Sequence, residues 1–84
     1  MSTVKITGRH VTAARGLLKI TVEELAQAAG VSHTSILSLE NAKGSTRDST
    51  IQKIREALER RGIEFLNGDA PGVRLHGERA IYPV

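Results

Sequence analysis

Residues 21–41 read TVEELAQAAGVSHTSILSLEN, and two helix starts are packed into them around a single glycine. Thr21 opens the first. Its hydroxyl can accept from the Glu24 amide while the Glu24 carboxylate reaches back to the Thr21 amide, a capping box. Val22, Leu25, Ala26 and Ala29 then recur at i, i+3, i+4 and i+7, the spacing of one buried helical face. The small side chains of Ala26, Ala28 and Ala29 let a neighbouring helix come close. Gly30 can take the left-handed conformation that stops a helix, at no Cβ penalty. Val31 packs into the turn, and Ser32 caps a second helix over 33–41 whose Ile36 and Leu39 face inward. Two helices this short bury little between them. What they make is a rigid corner that presents the second helix outward, with His33, Thr34, Leu37 and Ser38 on its free face.

The flanking sequence supplies the rest of a small core. Thr7 is the predicted N-cap of a helix over 8–18, on which Val11, Ala14, Arg15 and Leu18 share one face. Arg15 is the exception in that apolar stripe, and a charge there demands a partner. Residues 1–6 read as an arm, extended in conformation. The polar loop NAKGSTRDS follows the corner, and helicity resumes over 48–61. Ile51, Ile54 and Leu58 form the inner stripe of that helix, while Gln52, Arg55, Glu56, Glu59 and Arg60 form a solvated face laced by i,i+4 pairs. Gly62 ends it. In IEFLNGDAPGVRLHG, Ile63 and Phe65 alternate with Glu64, and Val73 and Leu75 flank Arg74. Asn-Gly and Pro-Gly lie between the two runs, which predicts a β-hairpin with a long loop. Residues 77–84 carry no clear pattern. The expected division is a helical domain over 1–62 and a hairpin extension and tail over 63–84 that serves as a dimerisation element.

Composition narrows the function classes. A chain of 84 residues is one small domain with a modest core and no room for a large cleft. It contains no cysteine, so disulfides and thiolate metal sites are ruled out together, in keeping with a reducing compartment. His10, His33 and His76 lie in separate segments without metal-ligand spacing. No Ser/His/Asp set, carboxylate pair or phosphate loop converges anywhere, so neither an enzyme nor a cofactor is expected. The N-terminus lacks the apolar core of a signal peptide, and no run reaches transmembrane length, so the expected location is the cytoplasm. Net charge is +3, and its distribution is uneven. Six basic groups (Lys5, Arg9, Arg15, Lys19, Lys43, Arg47) face three acidic ones (Glu23, Glu24, Glu40) up to residue 47, whereas the remainder balances. The basic excess sits with the corner motif, which suits a polyanionic partner. His10 and His76 read as ordinary surface residues.

Helix, glycine turn, helix is the plan of a helix-turn-helix. The second helix fits a major groove about 12 Å wide, where His33, Thr34 and Ser38 can bond to base edges or phosphates and Leu37 can meet a thymine methyl. Amides at Ser32 and the helix start offer a phosphate site. From Thr7 to Leu58, through AARGLL, TVEELAQAAGVSHTSILSLEN and STIQKIREAL, the chain resembles the phage-repressor/Cro-type (XRE-like) helix-turn-helix family of small bacterial transcriptional regulators.

The resemblance implies a mainly α, four-helix repressor-like DNA-binding domain, here with a C-terminal β-hairpin. It implies base reading by His33, Thr34 and Ser38 and phosphate contacts by Ser32, Asn41 and Lys43. It also implies an ion pair between Arg15 of the first helix and Glu40 near the end of the third, which would resolve the misplaced arginine. Two positions depart from the family pattern. Val22 stands where a phosphate-touching Gln is common. Ala42 stands where a glycine often follows the third helix, so that helix is expected to run longer than usual. The implied function is a homodimeric regulator, a repressor by family habit, on double-stranded DNA of the bacterial nucleoid. An antitoxin that also binds a toxin protein is the alternative.

Overall fold

A computed structural model describes residues 6–66 and 70–77. Four helices, α1 (Gly8–Leu18), α2 (Val22–Ala29), α3 (His33–Glu40) and α4 (Asp48–Arg60), precede an antiparallel hairpin of β1 (Ile63–Leu66) and β2 (Gly72–Leu75). The hairpin pairs Ile63 with Leu75, Glu64 with Arg74, Phe65 with Val73 and Leu66 with Gly72. The predicted mainly α plan with a terminal hairpin is what the chain adopts. The N-terminal arm up to Lys5, the Asn67-Gly68 turn and the tail from Glu78 lie outside the described residues.

The helices begin and end where side-chain chemistry dictates. Thr21 and Glu24 close the predicted capping box, with Thr21 Oγ1 accepting from the Glu24 amide at 3.0 Å and Glu24 Oε1 accepting from the Thr21 amide at 2.8 Å. Ser32 Oγ accepts from the Ser35 amide at 3.1 Å at the start of α3. Gly30 ends α2 with φ at 70°. The end of α3 corrects the sequence reading, because the missing glycine does not lengthen the helix. Ala42 itself takes the left-handed conformation, φ 55°. Its amide donates to the Leu39 carbonyl at 3.2 Å and the Lys43 amide to the Ser38 carbonyl at 2.9 Å. Those two bonds are the Schellman closure, made here with a Cβ present.

One core joins all six elements. Val11, Ala14 and Leu18 of α1 meet Leu25, Ala26 and Ala29 of α2, Ile36 of α3, Ile54, Ala57 and Leu58 of α4, and Ile63 and Phe65 of β1. Ile6, assigned to the arm by the sequence reading, is buried in the same cluster. The hairpin strand β1 is therefore part of the core, so the hairpin is more than an appendage. Arg60 is exposed, as the solvated face predicts, and from there reaches the Ala28 carbonyl at 3.4 Å. Arg55 pairs with Glu59 at 3.0 Å as the i,i+4 spacing predicts.

The surface histidines also need correction. His10 is buried, and its ring bonds at both nitrogens to Thr7 and to the Leu66 carbonyl. His76 is half-buried and contacts Glu64 at 2.5 Å. Among the described residues, no buried side-chain polar atom lacks a partner, and no helix is long and apolar enough to cross a membrane.

A left-handed alanine is strained by roughly 1–2 kcal/mol, and glycine is not. Ala42→Gly should therefore raise unfolding stability by about 1 kcal/mol in a denaturant titration. An unchanged or lower midpoint would show that the closure at Ala42 is unstrained.

Candidate DNA-binding surface

The candidate surface is built on α3, and its rigidity comes from what lies behind it. Ile36 is wholly buried against the core, and Leu39 packs half-buried against the same cluster. The opposite face carries Ser32, His33 and Thr34, all exposed, Leu37 at 36% exposure, and half-buried Ser38. Asn41 and Lys43 continue the exposed surface past the helix end. All seven predicted contact residues thus lie on or beside one short helix. The Ser32–Ser35 bond occupies one of the first-turn amides proposed for phosphate.

Arg15 and Glu40 meet as the resemblance implies. Arg15 Nε donates to Glu40 Oε2 at 2.7 Å and Nη2 to Oε1 at 2.8 Å, a fork-to-fork pair. Nη1 donates to the Ile20 carbonyl at 3.2 Å in the α1–α2 turn. One guanidinium therefore ties α1, the following turn and the last turn of α3 together. The hydrogen bond to Glu40 raises the Arg15 pKa above its ordinary value; burial opposes the rise and the carboxylate's charge adds to it. Because the shift is upward, the stabilisation it reports holds throughout the neutral range and fades only in strong alkali.

The structure adds Ser35, Ser45, Thr46 and Thr50, to which the sequence reading gave no role, and sets Arg47 of the basic excess among them. Thr34, Ser35 and Ser38 of α3 form one wall of an open cleft, and Ser45, Thr46, Arg47 and Thr50 form the other. Six hydroxyls and one guanidinium converge there, beside the start of α4, where the N-cap Arg47 makes no side-chain capping bond. The signal was legible in GSTRDST as a density of hydroxyls. What could not be read was that the loop folds back against α3. By contrast, the first turn of α2 carries Glu23 and Glu24 and a closed capping box, an unfavourable setting for phosphate, and Val22 leaves no side-chain amide there.

Hydroxyl and cationic side chains around a protruding, braced helix are the chemistry of a duplex-reading surface. The family described as helix-turn-helix matches residues 11–66. The chain belongs to the XRE/Cro-type helix-turn-helix family. It is a DNA-binding transcription regulator of that type. No curated protein matches the chain. The matched segment covers the corner and the brace but leaves the α1 cap (Thr7–His10) and strand β2 outside it.

The two halves of the brace are unequally exposed, the Arg15 side chain at 22% and Glu40 at 8%. Arg15→Ala leaves the more buried charge without a partner and should destabilise by about 3–5 kcal/mol. Glu40→Ala leaves a guanidinium that water can reach, so its loss should be smaller. Equilibrium unfolding of the two variants measures the difference, and equal losses would contradict the asymmetry.

Proposed function

We propose that the protein is a homodimeric repressor that inserts α3 into the major groove of a two-half-site operator. The observation that carries this reading is the division of α3 into a back anchored by fully buried Ile36 and half-buried Leu39 and a mostly polar front open to solvent. With its side chains an α-helix is about 10–12 Å across, commensurate with the major groove of about 12 Å. His33, Thr34 and Ser38 supply hydrogen bonds to base edges, and Leu37 supplies an apolar contact for a thymine methyl. Ser32, Asn41 and Lys43 lie where they can hold phosphates on either side. The hydroxyl cleft around Arg47 extends that backbone contact toward α4.

A single module of this size presents too short a reading surface for useful affinity, and pairing doubles it. The hairpin supplies a surface for a second chain, since a two-stranded sheet leaves edges open and Val73 and Leu75 are only partly buried. For a dimer to read both half-sites from one face of the duplex, its two α3 helices must stand about 34 Å apart, one turn of DNA. An antitoxin would use the same surface for a toxin protein. Sedimentation of the operator complex tests the homodimer, since two identical chains per operator fragment support it and a single chain refutes it; copurification with a second protein would mark the antitoxin instead. The proposed location is the cytoplasm, on the nucleoid.

Two substitutions test the reading face. His33→Ala combined with Ser38→Ala should erase preference among DNA sequences while leaving the helical circular dichroism intact, since each lost base contact is worth about 1–3 kcal/mol. Unchanged selectivity in a binding-site selection would rule this face out. Arg47→Ala should weaken binding to all sequences alike and reduce the salt dependence by about one phosphate contact. A salt slope equal to that of the unsubstituted protein would remove Arg47 from the backbone contacts.

A further inference from the structure

The buried histidine of α1 is unexplained by DNA contact, because it lies inside the fold. Its hydrogen bonds fix its tautomer. Nδ1 lies 3.0 Å from the Thr7 backbone amide, which can only donate, so Nδ1 is the unprotonated acceptor. Nε2 therefore carries the proton and donates to the Leu66 carbonyl at 3.1 Å, across to the end of strand β1. The ring also meets Phe65 edge-on, with centroids 5.9 Å apart and planes at 70°. His10 is 6% exposed, a polar residue buried among the apolar side chains of the core.

The same first turn of α1 bears directly on α3. A Cβ added at Gly8 would stand 2.0 Å from the Leu39 carbonyl oxygen and 2.8 Å from the Glu40 Cα. Main chain thus lies on main chain there, with no side chain between to absorb a shift. The α3 end that receives this contact is also the one closed by the left-handed Ala42. The hairpin, the start of α1 and the end of the reading helix therefore meet on one helical turn, and His10 joins its two sides.

We propose that His10 is a positioning residue for DNA reading: it carries the seating of the hairpin, through the first turn of α1, to the last turn of α3. The proposal rests on α3 being the reading helix. Whatever docks on the hairpin then sets how firmly α3 is held, which makes His10 the link between partner binding and DNA recognition. Nδ1 closes the capping box of α1 with Thr7, but a side chain that only capped the helix would need no second nitrogen on the Leu66 carbonyl.

His10→Gln separates the roles, because glutamine at this position can still accept from the Thr7 amide but loses the Leu66 bond and the ring contact. The measurement is amide hydrogen exchange on the free protein. The amides of Asn41, Ala42 and Lys43, bonded to Leu37, Leu39 and Ser38 carbonyls, should exchange about tenfold faster relative to the Leu25 and Ile54 amides, within the usual range of coupling between sites. Ile54→Val, a comparable loosening of the core elsewhere, should not single out those three. Should His10→Gln fail to fold, Phe65→Leu loosens the same joint from the hairpin side and should give the same pattern. Acceleration confined to α1 and the hairpin, or spread evenly over the chain, overturns the proposal. The exchange pattern is read without DNA, so it stands or falls separately from the DNA-reading assignment. In the DNA arm, His10→Gln should lower operator affinity about tenfold at an unchanged salt slope, because no phosphate contact is removed. Unchanged operator affinity also overturns it.

Discussion

The bidentate pair of Arg15 and Glu40 is the constraint on which the reading surface depends. An eight-residue helix is far below the length at which an isolated helix persists in water, so α3 holds its shape only because other elements hold it. Ile36 anchors its middle through apolar burial, which is strong but non-directional. The guanidinium fixes its last turn in both position and rotation, since a planar fork accepts a carboxylate in very few orientations. Its third contact, to the Ile20 carbonyl, ties the same group to the turn that leads into α2. Orientation of the exposed α3 side chains follows from that pair.

A second constraint acts at the same helix end. Gly8 lets the α1 main chain rest on the α3 main chain, and any side chain there would force the two apart. Ala42 closes the helix in a conformation that glycine adopts more readily. The end of α3 is thus pinned from one side by charge and from another by close backbone approach, and its own closure stores strain. Rigid presentation from a small core requires such redundancy, because buried apolar area in a domain of this size leaves little margin.

Most of the fold was legible in the sequence because its signals are local. Thr21 with Glu24, Gly30, Ser32 and Gly62 each mark a helix boundary through chemistry confined to a few residues, and the i, i+3, i+4 spacing names the buried faces. The Arg15–Glu40 pair spans 25 positions and was reachable only through family resemblance; the stripe by itself showed a charge in need of a partner. Two misreadings share a physical cause. His10 looks like a surface residue because its partners, Leu66 and Phe65, are far along the chain and one of them contributes a backbone carbonyl. Ala42 looks like a helix-continuing residue because its left-handed conformation is imposed by the fold against its own preference. The loop up to Arg47 and the helix start at Asp48 were read correctly, but the seating of Ser45, Thr46, Arg47 and Thr50 against Thr34 and Ser38 is tertiary and leaves no periodic trace. For the seven base and phosphate positions, the structure supplies location and exposure; contact with DNA is the proposal built on them.

The most direct test of the central claim is an amide chemical-shift titration of the protein with an operator fragment recovered by selection. Insertion of α3 into the groove should put the largest shifts on residues 32–38 and 43–50, with the buried amides of α2 nearly still. Shifts concentrated elsewhere, with His33, Thr34 and Ser38 unmoved at saturation, would contradict it.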